Sequence, residues 1–201
     1  MGLLRRGPVD SGNPPWLVVG LGNPGEKYAD TPHNAGARAV ERLADELGGR
    51  FKPSKHRAIA AEARTDEAKL VLVRPTTFMN ESGQAVGPFL RWYRSSADAL
   101  IVVHDDIDLP LGRLRVKKGG GNGGHHGLDS VSGAVGRDFY RVRIGVGRPS
   151  DPRIEPADYV LRALPKQQAL QLDEAEALAG KAALSLVSHG LDATMGLYNN
   201  K

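Results

Sequence analysis

The longest uninterrupted apolar run in this chain is Ala99 to Val103, five residues that end directly in His104, Asp105 and Asp106. A membrane-crossing helix needs roughly 20 apolar residues, so this run crosses nothing. A short aliphatic run opening onto polar side chains instead reads as a strand buried on both faces. Such a strand must have helices packed above and below it, and the rest of the chain supplies them. Trp16 to Val19 reads as a second strand, and Asn34 to Leu47 as a helix with Ala37, Val40, Leu43, Ala44 and Leu47 on one face, ended by Gly48 and Gly49. Residues 57–74 read as two strands around Thr65, Asp66 and Glu67. A helix is expected from about Asn80, although Gly83, Gly87 and Pro88 interrupt it. Residues 113–117 and 141–144 alternate charged with aliphatic side chains, as half-buried strands do. A short helix is expected at 128–135 and a long one at 166–189, the latter with Leu170, Leu178, Ala182 and Leu186 at helical spacing. Strands alternating with helices predict an α/β fold: a single domain with a mixed, mostly parallel central sheet and helices on both faces. The domain is placed at 16–201, and residues 1–15, with three prolines and three glycines, read as a disordered leader.

The 201 residues contain no cysteine, which removes disulfides, thiolate metal sites and cysteine nucleophiles together. No apolar stretch follows Arg5 and Arg6, so no secretory signal is read and the expected compartment is the cytoplasm. The net charge of +4 conceals an asymmetry. From Gly112 to Arg148 there are eight basic residues (Arg113, Arg115, Lys117, Lys118, Arg137, Arg141, Arg143, Arg148) against Asp129 and Asp138. A local basic field of this kind suits a phosphate-bearing partner, whereas an ordinary basic cluster is a solvated strand face.

Four motifs carry chemistry. Gly20, Gly22 and Gly25 form a G-x-G-x-x-G after a strand, but Pro32 delays the helix, and no acidic residue stands at a strand end where a dinucleotide ribose would need it. The turn therefore reads as a tight strand exit that exposes Asn23. His33, in Thr31-Pro32-His33-Asn34, stands at a helix entrance, whose positive end is expected to keep the imidazole neutral and able to accept a proton. Asp105, just past the buried strand, is a carboxylate that could orient an imidazole. A metal held by these histidines and aspartates would lack any standard ligand spacing. The fourth motif, Lys117 to Gly127, has six glycines in the nine residues from 119 to 127, with His125 and His126 where a helix begins. So many glycines in an ordered loop suit a backbone that must approach a phosphate closely; the alternative is a flexible linker.

Gly22-Asn23-Pro24-Gly25 with Tyr28, then Thr31 to Asn34, Pro75 to Asn80, His104-Asp105 and the glycine loop resemble, in that order, the bacterial-type peptidyl-tRNA hydrolases over about residues 16–190. The resemblance implies a monomeric α/β enzyme of the cytoplasm that cleaves the ester between a peptide and the terminal ribose of tRNA. Peptidyl-tRNA is then the partner, with no metal, cofactor or membrane. By position it implies His33 as general base, Asp105 as its partner and Asn23 as the group that discriminates N-blocked substrates. It further implies Asn80 as a holder of substrate and water, Tyr28 and Phe78 as cleft walls, His125 at the cleft rim, and Lys117 and Arg143 as tRNA phosphate contacts. His126 stands where the family usually reads asparagine, and Pro32 where it usually reads arginine. His126 keeps in view an alternative, a member of the same fold that grips RNA without hydrolysing it.

Overall fold

The computed structural model describes residues 13–151 and 153–200; the leader read at 1–15 lies outside them as far as residue 12. Seven strands form one sheet: β1 (Trp16–Gly20), β2 (Lys52–Ser54), β3 (Ala58–Arg64), β4 (Lys69–Pro75), β5 (Leu100–Asp106), β6 (Leu114–Lys118) and β7 (Tyr140–Gly145). Their order is β2-β3-β4-β1-β5-β7-β6. The four central strands β4, β1, β5 and β7 run parallel, while β2, β3 and β6 join antiparallel at the edges. The expected mixed sheet is therefore found, with its parallel part confined to the centre.

Helices α2 (Ala35–Glu46) and α6 (Lys166–Tyr198) cover one face, where Val40 and Leu43 of α2 and Leu172, Ala179 and Leu186 of α6 meet Val18, Leu72, Ile101 and Val142. Helices α3 (Gly83–Tyr93) and α4 (His126–Val135) cover the other through Val86, Phe89, Leu128 and Val131, against Leu17, Val71 and Val102. Two short helices, α1 (Glu26–Ala29) and α5 (Pro156–Tyr159), and the strand β2 have no counterpart in the sequence reading.

Helix α2 approaches the sheet as closely as backbone allows. A Cβ on Gly36 would sit 2.1 Å from the carbonyl oxygen of Val103, and one on Gly20 would sit 2.3 Å from that of Gly36. The first glycine of the G-x-G-x-x-G is thus a packing residue, and its work is to seat the helix that follows His33. Arg38 locks the same region. It donates to Glu176 of α6 (Nη2 to Oε1, 2.6 Å), to the carbonyl of Thr31 at 2.9 Å and to that of Ala29, fixing the chain that leads into His33.

Helix α3 forms despite its glycines, and Gly83 shows why: its missing side chain lets α3 meet the Ser130 carbonyl of α4, which a Cβ would approach to 2.1 Å. Helix α6 corrects the sequence reading. Leu170 and Leu178 are exposed, and the buried stripe is Leu172, Ala175, Ala179, Ala182, Ala183 and Leu186. Alanines packed tightly against α2 and the sheet make that stripe, so the larger leucines misreported its phase. The expected end at His189 coincides with a break at Gly190 (φ +77°), after which the helix resumes to Tyr198.

Candidate active site

The carboxyl ends of β1 and β5 lie side by side where the chain order in the sheet reverses, the usual place for ligand groups in an open α/β sheet. A cavity of about 700 Å³ opens there. Asn23, His33, Phe78, Asn80, Asp105, His125 and His126 all line it, brought together from β5 and the segments after β1, β4 and β6. Tyr28 is not among its lining residues: it is half-buried in α1, with the Lys27 ammonium 4.6 Å from its ring centroid. Lys117 and Arg143 lie outside the cavity on β6 and β7.

At the centre is one buried carboxylate between two imidazoles. Asp105 accepts from His33 Nδ1 (2.9 Å to Oδ1, 3.0 Å to Oδ2) and from His125 Nε2 (3.0 Å to Oδ1). The tautomers follow from these partners. His125 is the N-cap of α4, and its Nδ1 accepts the amide protons of Gly127 and Leu128 at 3.1 and 3.3 Å, so its proton must sit on Nε2 and point at Asp105. His33 in turn donates from Nδ1, which leaves its Nε2 lone pair free beside the cavity, with no partner among the described residues. His104 packs edge-on against His125, ring centroids 4.9 Å apart, and donates from Nδ1 to the Asp105 carbonyl at 2.7 Å. Burial, reinforced by His125, pushes its pKa well below the ordinary value, so it stays neutral. In the sequence His104 has no role of its own and stands only as part of the strand-end motif with Asp105.

The electrostatics depart from one expectation. Burial alone would lower the His33 pKa, but the charge and hydrogen bond of Asp105 outweigh it, and the net shift is upward. The helix entrance therefore does not set this imidazole's basicity; the carboxylate does. Asp105 itself is pushed up by burial, yet the two imidazoles more than compensate and hold it well below the usual carboxylate range.

Asn23 is held just as firmly. Its Oδ1 accepts the Met79 amide at 2.8 Å, its own amide donates to Asn34 Oδ1 at 2.8 Å, and Asn34 Nδ2 donates back to its carbonyl at 2.9 Å. With Oδ1 occupied, Nδ2 is a fixed donor beside the cavity and has no acceptor among the described residues. Asn34, which is buried, was legible only as part of a motif. Pro32 is accommodated without loss: it begins the 3-10 turn Pro32–Asn34, where an amide would have no intrahelical partner. Above the site, α5 closes one wall, and the Val160 carbonyl accepts the His33 amide at 2.9 Å.

The family model for peptidyl-tRNA hydrolase matches residues 17–201. This chain belongs to the peptidyl-tRNA hydrolase family. It is similar to the peptidyl-tRNA hydrolases of Frankia casuarinae (44% identical over 190 residues, 94% of this chain and 96% of the relative) and Anaeromyxobacter sp. (46% over 186 residues, 92% and 96%). The crystal structure of the peptidyl-tRNA hydrolase from Acinetobacter baumannii superposes with a TM-score of 0.84 at 37% identity, covering 90% of this chain and 92% of that one. The likeness covers 90% of this chain, so the α/β fold of that structure is this chain's fold.

His33, Asp105 and His125 also bring three ligand-type atoms within 4.8 Å of one another. The hydrogen bonds argue against a cation at that point. The Nε2 of His125 carries the proton its cap requires and cannot ligate while α4 remains capped. Lys117 and Arg143 connect the cavity to the basic face: Arg143 pairs in register with His104 on one side and Arg115 on the other, and Lys117 pairs with Arg141. Arg143 gives only its Nε to Asp106 (2.7 Å), so its two terminal nitrogens remain unused among the described residues.

Proposed function

We propose that this chain hydrolyses the ester joining an N-blocked aminoacyl or peptidyl group to the terminal ribose of tRNA, with no metal or cofactor, as a cytoplasmic monomer. The observation that carries the reading is the His33–Asp105 pair with Nε2 of His33 free beside the cavity. Nε2 takes a proton from water as its oxygen attacks the ester carbon. Asp105 supports the imidazolium that forms, and the same proton then passes to the departing ribose oxygen, leaving a free carboxylic acid and an intact tRNA. The positioned Nδ2 of Asn23 supplies a hydrogen bond to the acyl part of the substrate, and exposed Asn80 and Phe78 flank it on the same side. His126, exposed at the start of α4, offers the cavity rim an imidazole in place of the family's amide. Release of N-acetyl-amino acid from its tRNA, measured with a chelator present, tests the reading directly. No release sinks it, and release that needs an added divalent cation sinks its metal-free part.

Two further outcomes belong to this surface. Asn23→Asp keeps an acceptor for the Met79 amide but replaces the donor with a charge, so selectivity for blocked over unblocked aminoacyl-tRNA is expected to fall by about tenfold, the worth of one charge-sensitive hydrogen bond. Competition between the two substrates checks it, and unaltered selectivity removes the assignment. Lys117→Ala is expected to weaken tRNA binding and to reduce the slope of log K against log salt by about 0.7–0.9 in magnitude, the value for one phosphate contact. An unchanged slope would place the tRNA elsewhere.

A further inference from the structure

The glycine loop between β6 and α4 is anchored by a residue that no motif singled out. Arg141, on β7, is fully buried and heads the largest fully buried side chains of the fold. Its Nη1 donates to the Gly121 carbonyl at 2.8 Å and its Nη2 to that of Gly120 at 3.0 Å, with the Arg137 carbonyl at 3.5 Å. The guanidinium carbon lies 4.7 Å from the ring centroid of Phe139, itself buried. No carboxylate pairs with it among the described residues. The charges that act on it are those of Arg143 and Arg137, and its partner across the strand pair is Lys117. Nε is buried with no hydrogen-bond partner among the described residues. A buried cation surrounded by other cations is costly unless something else uses it.

The loop shows what that use is. Gly119, Gly120, Gly123 and Gly124 have φ of +66°, +89°, +60° and +74°, conformations that L side chains rarely adopt. The carbonyls of Gly120 and Gly121 are drawn onto the guanidinium, while the amides of Gly120, Gly121, Asn122, Gly123 and Gly124 donate to no described group. A run of unpaired amides beside Lys117 is the kind of backbone that suits an anion.

We propose that Arg141 is a positioning residue for the tRNA: by holding the carbonyls of Gly120 and Gly121 inside the fold it fixes the glycine loop with its amides free, and its unneutralised charge joins Lys117 in drawing a backbone phosphate onto the loop. The inference rests on the tRNA reading of this face. Three variants test it against two substrates, N-acetyl-aminoacyl-tRNA and the same acyl ester of adenosine, which carries no phosphate. Arg141→Lys keeps the charge but lacks the planar fork whose two terminal nitrogens each reach one of the carbonyls, and Arg141→Met removes both at similar volume. Gly120→Ala leaves Arg141 intact but strains the loop at its positive φ and crowds Lys117 Nζ to 3.0 Å. All three are expected to raise KM for the tRNA substrate about tenfold, the size of one charge-assisted hydrogen bond, with a far smaller change on the adenosine ester. Gly120→Ala combined with Arg141→Lys is expected to be no worse than either alone. Equal losses on both substrates would make Arg141 a packing residue only, and an unchanged tRNA KM in Arg141→Lys or Gly120→Ala would overturn the proposal. Should Arg141→Met fail to fold, the exposed Gly120 variant carries the same test. If Lys117→Ala also leaves tRNA binding unchanged, the tRNA reading of the face falls. If Lys117→Ala weakens binding and Arg141→Lys does not, only the present inference falls.

Discussion

Asp105→Asn is expected to lower kcat roughly 10³-fold, about 4 kcal/mol, while leaving tRNA affinity nearly intact. The size of the effect comes from tautomers rather than from shape. An asparagine fits the same space, but its two ends are no longer equivalent. His125 presents an N–H to this position and cannot relocate the proton, because its Nδ1 is engaged by the Gly127 and Leu128 amides. The asparagine must therefore keep its oxygen at the Oδ1 position, within reach of both imidazoles, which puts its NH2 at the Oδ2 position, 3.0 Å from His33 Nδ1. That NH2 opposes a proton on Nδ1 and offers one in its place, favouring the tautomer with the proton on Nε2, the nitrogen that should accept water's proton. The base is blocked by a hydrogen that the wild-type carboxylate keeps on the other side of the ring.

The pH dependence separates this from a loss of folding. In the wild type Asp105 holds the His33 pKa above the ordinary imidazole value, so kcat/KM is expected to fall as pH drops through that raised pKa, where the base becomes imidazolium. In Asp105→Asn both raising influences disappear and burial is left to act alone. The acidic limb should then move to lower pH even as the plateau collapses. Steady-state rates from mildly acidic to mildly alkaline pH check both parts, and a variant with kcat within threefold of wild type would remove Asp105 from the mechanism.

Much of this site was legible in the chain. The run into His104 and Asp105 announced a buried strand with a carboxylate at its carboxyl end, because burial on both faces leaves a local, unmistakable composition. Asn23 and His33 were legible for the same reason: each follows a strand or precedes a helix within a few residues. What could not be read was convergence. That one carboxylate serves two imidazoles depends on the loop after β6 folding back over β5, a contact between residues 20 apart in sequence that no periodicity encodes. The N-cap role of His125 was hidden because serine, threonine, aspartate and asparagine are the expected caps. The same limit applies to Arg141, whose alternation with Val142 and Arg143 looked like an exposed strand face until the glycine loop covered it. In α6 the signal was present but misleading, since alanine packing carries little hydrophobic weight per residue and Leu170 and Leu178 outvoted it.

The other large effect is expected at His33. His33→Asn should reduce turnover of peptidyl-tRNA roughly 10²–10⁴-fold, the range for removing a general base. Asparagine is the informative replacement because its NH2 can still donate towards Asp105, so the buried carboxylate keeps donors from two sides and the loss is confined to proton transfer. Binding is expected to persist, since Lys117 and Arg143 lie outside the cavity on β6 and β7. Single-turnover hydrolysis together with a binding isotherm on the same preparation checks both halves. A cavity of about 700 Å³ has room for a small base from solution, so added imidazole should restore part of the rate. That rescue should grow with the fraction of imidazole that is uncharged. Turnover within tenfold of wild type, or a rescue indifferent to the protonation of the added base, would mean that water is activated by another group, and the His33–Asp105 pair would be left as a structural tie between the turn after β1 and the end of β5.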